Sequence, residues 1–171
     1  MSDCGTVYWI TGLAGAGKTT IGRLLYDYLN AKKDNVIRFD GDILRNALQL
    51  ASYTVKDREE YAFKICRLCK VIADQGVDIV ICVIAMSDAV RKWNRENFAN
   101  YKEIFLDVNI EELIRRDQHG LYSGALRNEI PNVLGVNAPA ALPKAPDLVI
   151  ENCGDITPDI ALRMIIEAFG V

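Results

Sequence analysis

Along the chain, short apolar runs alternate with stretches whose apolar residues recur every three or four positions. Val7-Tyr8-Trp9-Ile10-Thr11 is a β-branched and aromatic run that reads as a buried strand. Thr19 to Leu29 follows with Ile21, Leu24, Leu25 and Tyr28 at the spacing of one helix face. Val36 to Asp40 predicts a second strand, and Ile43 to Leu48 the start of a helix. A longer helix is expected from Asp57 to Gln75, with Ala62, Ile65, Leu68, Cys69 and Ile72 on one side. Asp78 to Ile84 reads as a buried third strand and Ser87 to Asn100 as a polar helix. Ile104 to Val108 is the fourth strand, Ile110 to Arg116 a helix, and Leu148 to Ile150 the fifth strand. Thr157-Pro158 caps and opens a last helix that runs to Phe169. Strands and helices in alternation predict an α/β fold, a five-stranded parallel sheet flanked by helices.

One stretch interrupts this rhythm. From Asp117 to Pro146 the chain is rich in Gly, Asn, Ala and Pro and carries no clear period. A segment of that length in a small domain is usually functional, so residues 117–146 are expected to form a lid on a single domain spanning 1–171. Its basic border, Arg116 included, is placed to reach over a bound anion. Along Ser87 to Asn100, Arg91, Lys92 and Arg95 are expected to form a solvated face.

The junction of the first strand and helix carries the strongest chemical signal. Gly12-Leu13-Ala14-Gly15-Ala16-Gly17-Lys18-Thr19 fits G-x-x-x-x-G-K-[ST] without a mismatch and sits in the required strand–loop–helix order. The glycines let successive backbone N–H groups point inward at phosphate oxygens, at a helix N-terminus that favours negative charge. Lys18 supplies a point charge for the outer phosphates, and the Thr19 hydroxyl is a magnesium ligand in such loops. The ATP-binding set expected here is Gly12, Ala14, Gly15, Ala16, Gly17, Lys18, Thr19 and Thr20, joined by Arg116 from the lid border. ATP with Mg2+ is the expected donor.

In an open parallel sheet, ligands sit at the carboxyl ends of the strands. The second strand ends there in Asp40-Gly41-Asp42, with Arg45 one turn on. Phosphoryl transfer needs a carboxylate near the metal and a base near the attacking hydroxyl. Asp40, with Thr19, is therefore expected at the metal, and Lys18, Asp40 and Asp42 form the catalytic set. A guanine-specific N-K-x-D motif is absent from the sequence, which favours a small-molecule kinase over a GTPase. A nucleotide-binding regulatory module remains the alternative of a different class.

Composition narrows the partners. The 171 residues are half apolar and carry a net charge of −3, which does not suit a nucleic-acid or anionic-membrane surface. The longest apolar run, Val77 to Met86, contains Asp78 and is too short to span a bilayer. There is no secretory signal, so a cytoplasmic enzyme is expected. Five cysteines argue against a disulfide framework. Cys66 and Cys69 form a C-x-x-C without a second Cys or His pair, and packing is expected for them rather than zinc. His119, the one histidine, receives no catalytic role.

With these residues in place, the chain resembles the adenylyl-sulfate kinase family over nearly its whole length. The phosphate loop is generic. Phe39-Asp40-Gly41-Asp42 with Arg45, Tyr53-Thr54 ahead of Asp57-Arg58, Arg116-Asp117-Gln118-His119-Gly120-Leu121-Tyr122, Glu129-Ile130, and Gly135 with Pro139 and Pro143 are more specific. The resemblance implies transfer of the ATP γ-phosphate to the ribose 3′-hydroxyl of adenylyl sulfate in sulfate assimilation. It implies an acceptor site of Asp42, Arg45, Tyr53, Arg58, Tyr61, His119, Gly120, Leu121 and Val133. Within it the two arginines hold phosphate groups and Tyr53 stacks on the base. It also implies a possible homodimer.

The departures gather around the acceptor. Tyr61 stands where the family has asparagine, Phe63-Lys64 where it has Arg-Arg, His119 for lysine, Ala85 for serine, and Val133 for an aromatic that would stack on adenine. Losing one stacking wall costs about 1–3 kcal/mol. The alternative acceptor is therefore cytidine diphosphoramidate, used by a divergent capsule-type branch of the family, with adenylyl sulfate ranked first.

Overall fold

A computed structural model describes residues 4–49 and 54–171. Among them are five parallel strands in the order β2-β3-β1-β4-β5. The strands are β1 (Thr6–Thr11), β2 (Val36–Asp40), β3 (Asp78–Val83), β4 (Asn100–Asp107) and β5 (Leu148–Glu151). The helices are α1 (Lys18–Asn30), α2 (Gly41–Ala47), α3 (Val55–Ala73), α4 (Asp88–Asn97), α5 (Ile110–Arg116), α6 (Leu121–Leu126) and α7 (Pro158–Phe169). The expected phosphate-loop α/β architecture is what forms.

Side-chain alternation along each strand feeds two cores. Tyr8, Ile10, Val80, Cys82, Ile104 and Leu106 pack with Ile21 and Leu25 of α1 and Ala161 and Ile165 of α7. Val7, Trp9, Ile79, Ile81 and Val83 face the other way, onto Ala62, Ile65, Cys66 and Cys69 of α3 and Val90 of α4. The C-x-x-C is thus core. Burial pushes the Cys66 thiol up to about 12 and the Cys69 thiol higher still. Among the described residues no cluster of His, Cys, Asp and Glu could hold a metal by itself. Nor is any helix long and apolar enough to cross a membrane.

The structure departs from the sequence pattern in three places. First, β4 begins four residues earlier than its apolar run, because Thr6 to Thr11 pair in register with Asn100 to Phe105. Backbone pairing does not require apolar side chains, and Glu103 interrupts the pattern while being fully buried. Second, Arg91 leaves the expected solvated face, and Arg95 is exposed but held by ion pairs. Arg91 is buried and donates through Nη2 to Asp88 Oδ1 at 2.6 Å and to the Ala141 carbonyl at 2.8 Å. Arg95 Nη2 donates to Glu103 Oε2 at 2.9 Å and to the Ala145 carbonyl at 3.1 Å, with Asp147 at 3.3 Å. Lys92 and Arg95 both stay exposed, Arg95 while paired. Third, 117–146 is not wholly irregular. It holds a 3-10 turn (Gln118–Gly120) and α6. Asp117 caps α6 by accepting from the Tyr122 and Ser123 amides at 2.9 and 3.0 Å, and these bonds hold its carboxyl below the usual range. The periodic signal of α6 is short because the helix has only 6 residues.

Candidate active site

The loop between β1 and α1 is shaped from outside. Its carbonyls at Leu13, Ala14, Gly15 and Ala16 each accept a side-chain hydrogen bond. The donors are Lys18 Nζ at 2.7 Å, the Tyr122 hydroxyl at 2.7 Å, Arg116 Nη1 at 3.1 Å and Asn152 Nδ2 at 2.7 Å. Four successive carbonyls are thus engaged as acceptors, which braces a loop of the kind whose N–H groups form an anion nest. Gly17 is left-handed at φ 94°, and a Cβ there would lie 2.6 Å from Asn152 Nδ2, so only glycine fits. Arg116 also donates to the Asn152 carbonyl at 2.7 Å and to Glu112 at 2.9 Å, which ties the loop to β5 and α5.

In front of the loop is a cleft of about 350 Å³. Ala14, Gly15, Gly17, Lys18, Thr19, Thr20, Asp40, Asp42 and Gln118 line it, while Gly12, Ala16 and Arg116 lie behind the lining. The Lys18 ammonium is held inside the loop, and burial lowers its pKa to about 8 against the opposing pull of Cys82, Asp42 and Asp40.

Asp40 joins the two halves of the site. It ends β2 and caps α2, with Oδ1 accepting from the Asp42 amide at 3.0 Å. Its Oδ2 accepts from the Thr19 hydroxyl at 2.7 Å. A hydroxyl and one carboxylate, open on the cleft side, fit the donor set of a magnesium ion that completes its shell with phosphate oxygens and water.

The expected acceptor residues divide between two cavities. One of about 590 Å³ is lined by Asp42, Arg58, His119, Leu121 and Val133, with Thr54, Gln118 and Ile130. Val133 is 3% exposed, part of the core as well as the wall. The other, about 100 Å³, is lined by Arg45, Tyr61, Arg58 and Asp42, with Glu59, Ala85 and Ser87. Arg45 is buried, its guanidinium 4.2 Å from the centre of the Tyr61 ring. The Tyr61 hydroxyl donates to the Gly41 carbonyl, and burial raises its pKa to about 12. Arg58 Nη2 donates to the Asn132 carbonyl at 2.9 Å, linking α3 to the segment 117–146. Asp42 lines both cavities and the phosphate-loop cleft. Gly120 lines none of the three, and Tyr53 falls outside the described residues.

Tyr122, Asn152, Gln118, Glu59 and Ser87 are site residues that sequence reasoning did not reach. Asn152 immediately follows β5, so its position at a strand's carboxyl end was the signal available for it. Tyr122 lay within the quoted R-D-Q-H-G-L-Y segment, but nothing in the pattern aimed its hydroxyl at the loop.

A parallel sheet of this order, a phosphate loop after β1 and a carboxylate pair after β2 define a phosphate-loop kinase. The chain belongs to the adenylylsulphate kinase family, whose profile matches residues 4–151. It is 44% identical over 146 residues to the cytidine diphosphoramidate kinase of Campylobacter jejuni subsp. jejuni serotype O:2, covering 85% of each chain. It is 33% identical over 168 residues to the adenylyl-sulfate kinase of Deinococcus deserti, covering 98% of this chain and 92% of that one. The solved structure of Mycobacterium tuberculosis APS kinase CysC in complex with AMPPNP and APS superposes with a TM-score of 0.86 at 28% identity. That match covers 98% of this chain and 99% of the other. The chain is therefore an enzyme, a phosphotransferase with an alcohol group as acceptor, and the regulatory-module alternative falls.

Proposed function

We propose that this kinase transfers the γ-phosphoryl group of magnesium-ATP to the ribose 3′-hydroxyl of a cytidine nucleotide, with cytidine diphosphoramidate as the acceptor. Val133 carries this reading. It is buried in the wall of the larger cavity, where the resemblance expects an aromatic against adenine, and a pyrimidine loses less by that change. The 44% identity to a cytidine diphosphoramidate kinase supports it, and on that support we place it ahead of adenylyl sulfate, the acceptor ranked first from the sequence. Adenylyl sulfate, as in sulfate assimilation, is the second reading. It is favoured by the near full-length match to adenylyl-sulfate kinases.

In this reading the loop amides and Lys18 hold the triphosphate, with Arg116 buttressing the loop. Thr19 and Asp40 would hold the magnesium, which supplies charge neutralisation at the phosphates when bound. Asp42 orients the 3′-hydroxyl and accepts its proton as the oxygen attacks phosphorus and ADP departs. Arg45 and Arg58 take the acceptor's diphosphate by charge-assisted hydrogen bonds. His119, Leu121 and Val133 enclose the base. Residues 117–146 act as the lid of a single domain in a cytoplasmic enzyme, and a homodimer is part of the reading. Light scattering of the purified protein checks the last point.

The test is ADP release with magnesium-ATP and either cytidine diphosphoramidate or adenylyl sulfate at equal low concentration. A higher kcat/KM for the cytidine compound is expected. A higher value for adenylyl sulfate would transfer the assignment to the second reading.

A further inference from the structure

The smaller cavity contains a group that a site for anionic tails alone does not need. Arg45 and Arg58 supply its positive charge, but Glu59, next to Arg58 on α3, brings a carboxylate into the same 100 Å³ space. Its Oε1 accepts from the hydroxyl of Ser87, the residue that caps α4. The carboxylate is thereby fixed at the cavity wall. A carboxylate has about four lone-pair sites and no donor, and the Ser87 hydroxyl uses one.

The chemistry of an acceptor tail can be matched to that arrangement. Asp42 and Arg58 line both cavities, so a nucleotide with its 3′-hydroxyl at Asp42 and its base beside Val133 directs its 5′ tail at the smaller one. The space suits a group of a few heavy atoms rather than a second nucleoside. A terminal sulfate or phosphate presents only acceptors and negative charge to Glu59. A terminal phosphoramidate presents N–H donors to Glu59 while its oxygens remain for the two arginines.

We infer that Glu59 is a specificity-determining residue, accepting a hydrogen bond from an N–H donor at the end of the acceptor's 5′-diphosphate tail and disfavouring tails that end in sulfate or phosphate. This rests on the acceptor cavities assigned under the proposed function, but not on the base being a pyrimidine. Sites built around a substrate N–H reject analogues that lack it far more strongly than apolar pockets reject a missing methylene.

The experiment compares Glu59 with Glu59→Gln on cytidine diphosphoramidate, cytidine diphosphate and adenylyl sulfate. Glutamine still accepts from Ser87, so the α3–α4 contact survives. The native enzyme is expected to prefer the amidate over cytidine diphosphate by about 100-fold in kcat/KM. Glu59→Gln should lower kcat/KM for the amidate about tenfold and raise it for cytidine diphosphate and adenylyl sulfate about threefold, with KM for ATP unchanged. Changes of opposite sign are the signature, because a merely structural role would move all three acceptors the same way. Parallel changes, or none, overturn the inference. If the native enzyme uses adenylyl sulfate best, the pyrimidine reading falls by itself. In that case a rise for adenylyl sulfate in Glu59→Gln still upholds Glu59, and no rise removes it.

Discussion

The two halves of the site are built by opposite means. On the donor side the backbone is the ligand surface, and side chains from α1, α5, α6 and the end of β5 hold its carbonyls back. In the proposed acceptor cavities the side chains themselves are the surface, and they come from α2, α3, the end of β3 and the segment 117–146. A backbone surface recognises what all nucleoside triphosphates share, and its glycines are constrained by packing. A side-chain surface can be re-lettered one residue at a time. The departures from the family pattern at Tyr61, His119, Ala85 and Val133 all fall on the second kind.

The contrast can be broken by substitutions of decreasing weight. Lys18→Ala should cut kcat/KM for every acceptor about 1,000-fold or more while the fold persists, since it removes transition-state charge and no core. Turnover assays alongside circular dichroism check both parts. Asp42→Asn should lower kcat about 100-fold with little change in either KM, the mark of a group used in the transition state. Arg58→Ala should raise acceptor KM about 10- to 100-fold and leave ATP KM alone, as expected for a charge-assisted bond. An unchanged acceptor KM would return Arg58 to a lid-anchoring role through Asn132.

A pH titration sharpens the same comparison. Burial holds Lys18 near 8, and a bound triphosphate favours its protonated form. ATP affinity should therefore be level below about pH 8 and fall about tenfold over the next unit, measured by calorimetry at pH 7, 8 and 9. For stability the sign is reversed. A lysine with a lowered folded pKa binds fewer protons than the unfolded chain between about 8 and 10.5, so its burial penalty is constant below 8 and is relieved as pH rises through that window. The smallest expected effect belongs to Tyr122→Phe. Loss of the bond to the Ala14 carbonyl should cost about 1 kcal/mol and raise ATP KM about fivefold without altering acceptor KM.

Legibility followed the same division. Strand–loop–helix order, the phosphate loop and the D-G-D turn could be read because each is local, with all its parts within a few residues of one another. The buttress of that loop was not legible, since Tyr122 and Asn152 meet it across 108 and 136 residues. Arg91 and Arg95 had the helical spacing of a surface stripe, and only the fold brings Ala141, Ala145 and Glu103 against them. Glu59 was hidden by ordinariness, an acid in a run of charge at a helix start, until the third strand's exit placed Ser87 opposite it.

The Asp40 carboxylate has a mechanical consequence. One oxygen accepts from the start of α2 and the other from the first turn of α1, so a single planar group of three atoms joins the two helix starts. The link runs through one side chain at the end of β2, so Asp40→Ala would release both helix starts at once.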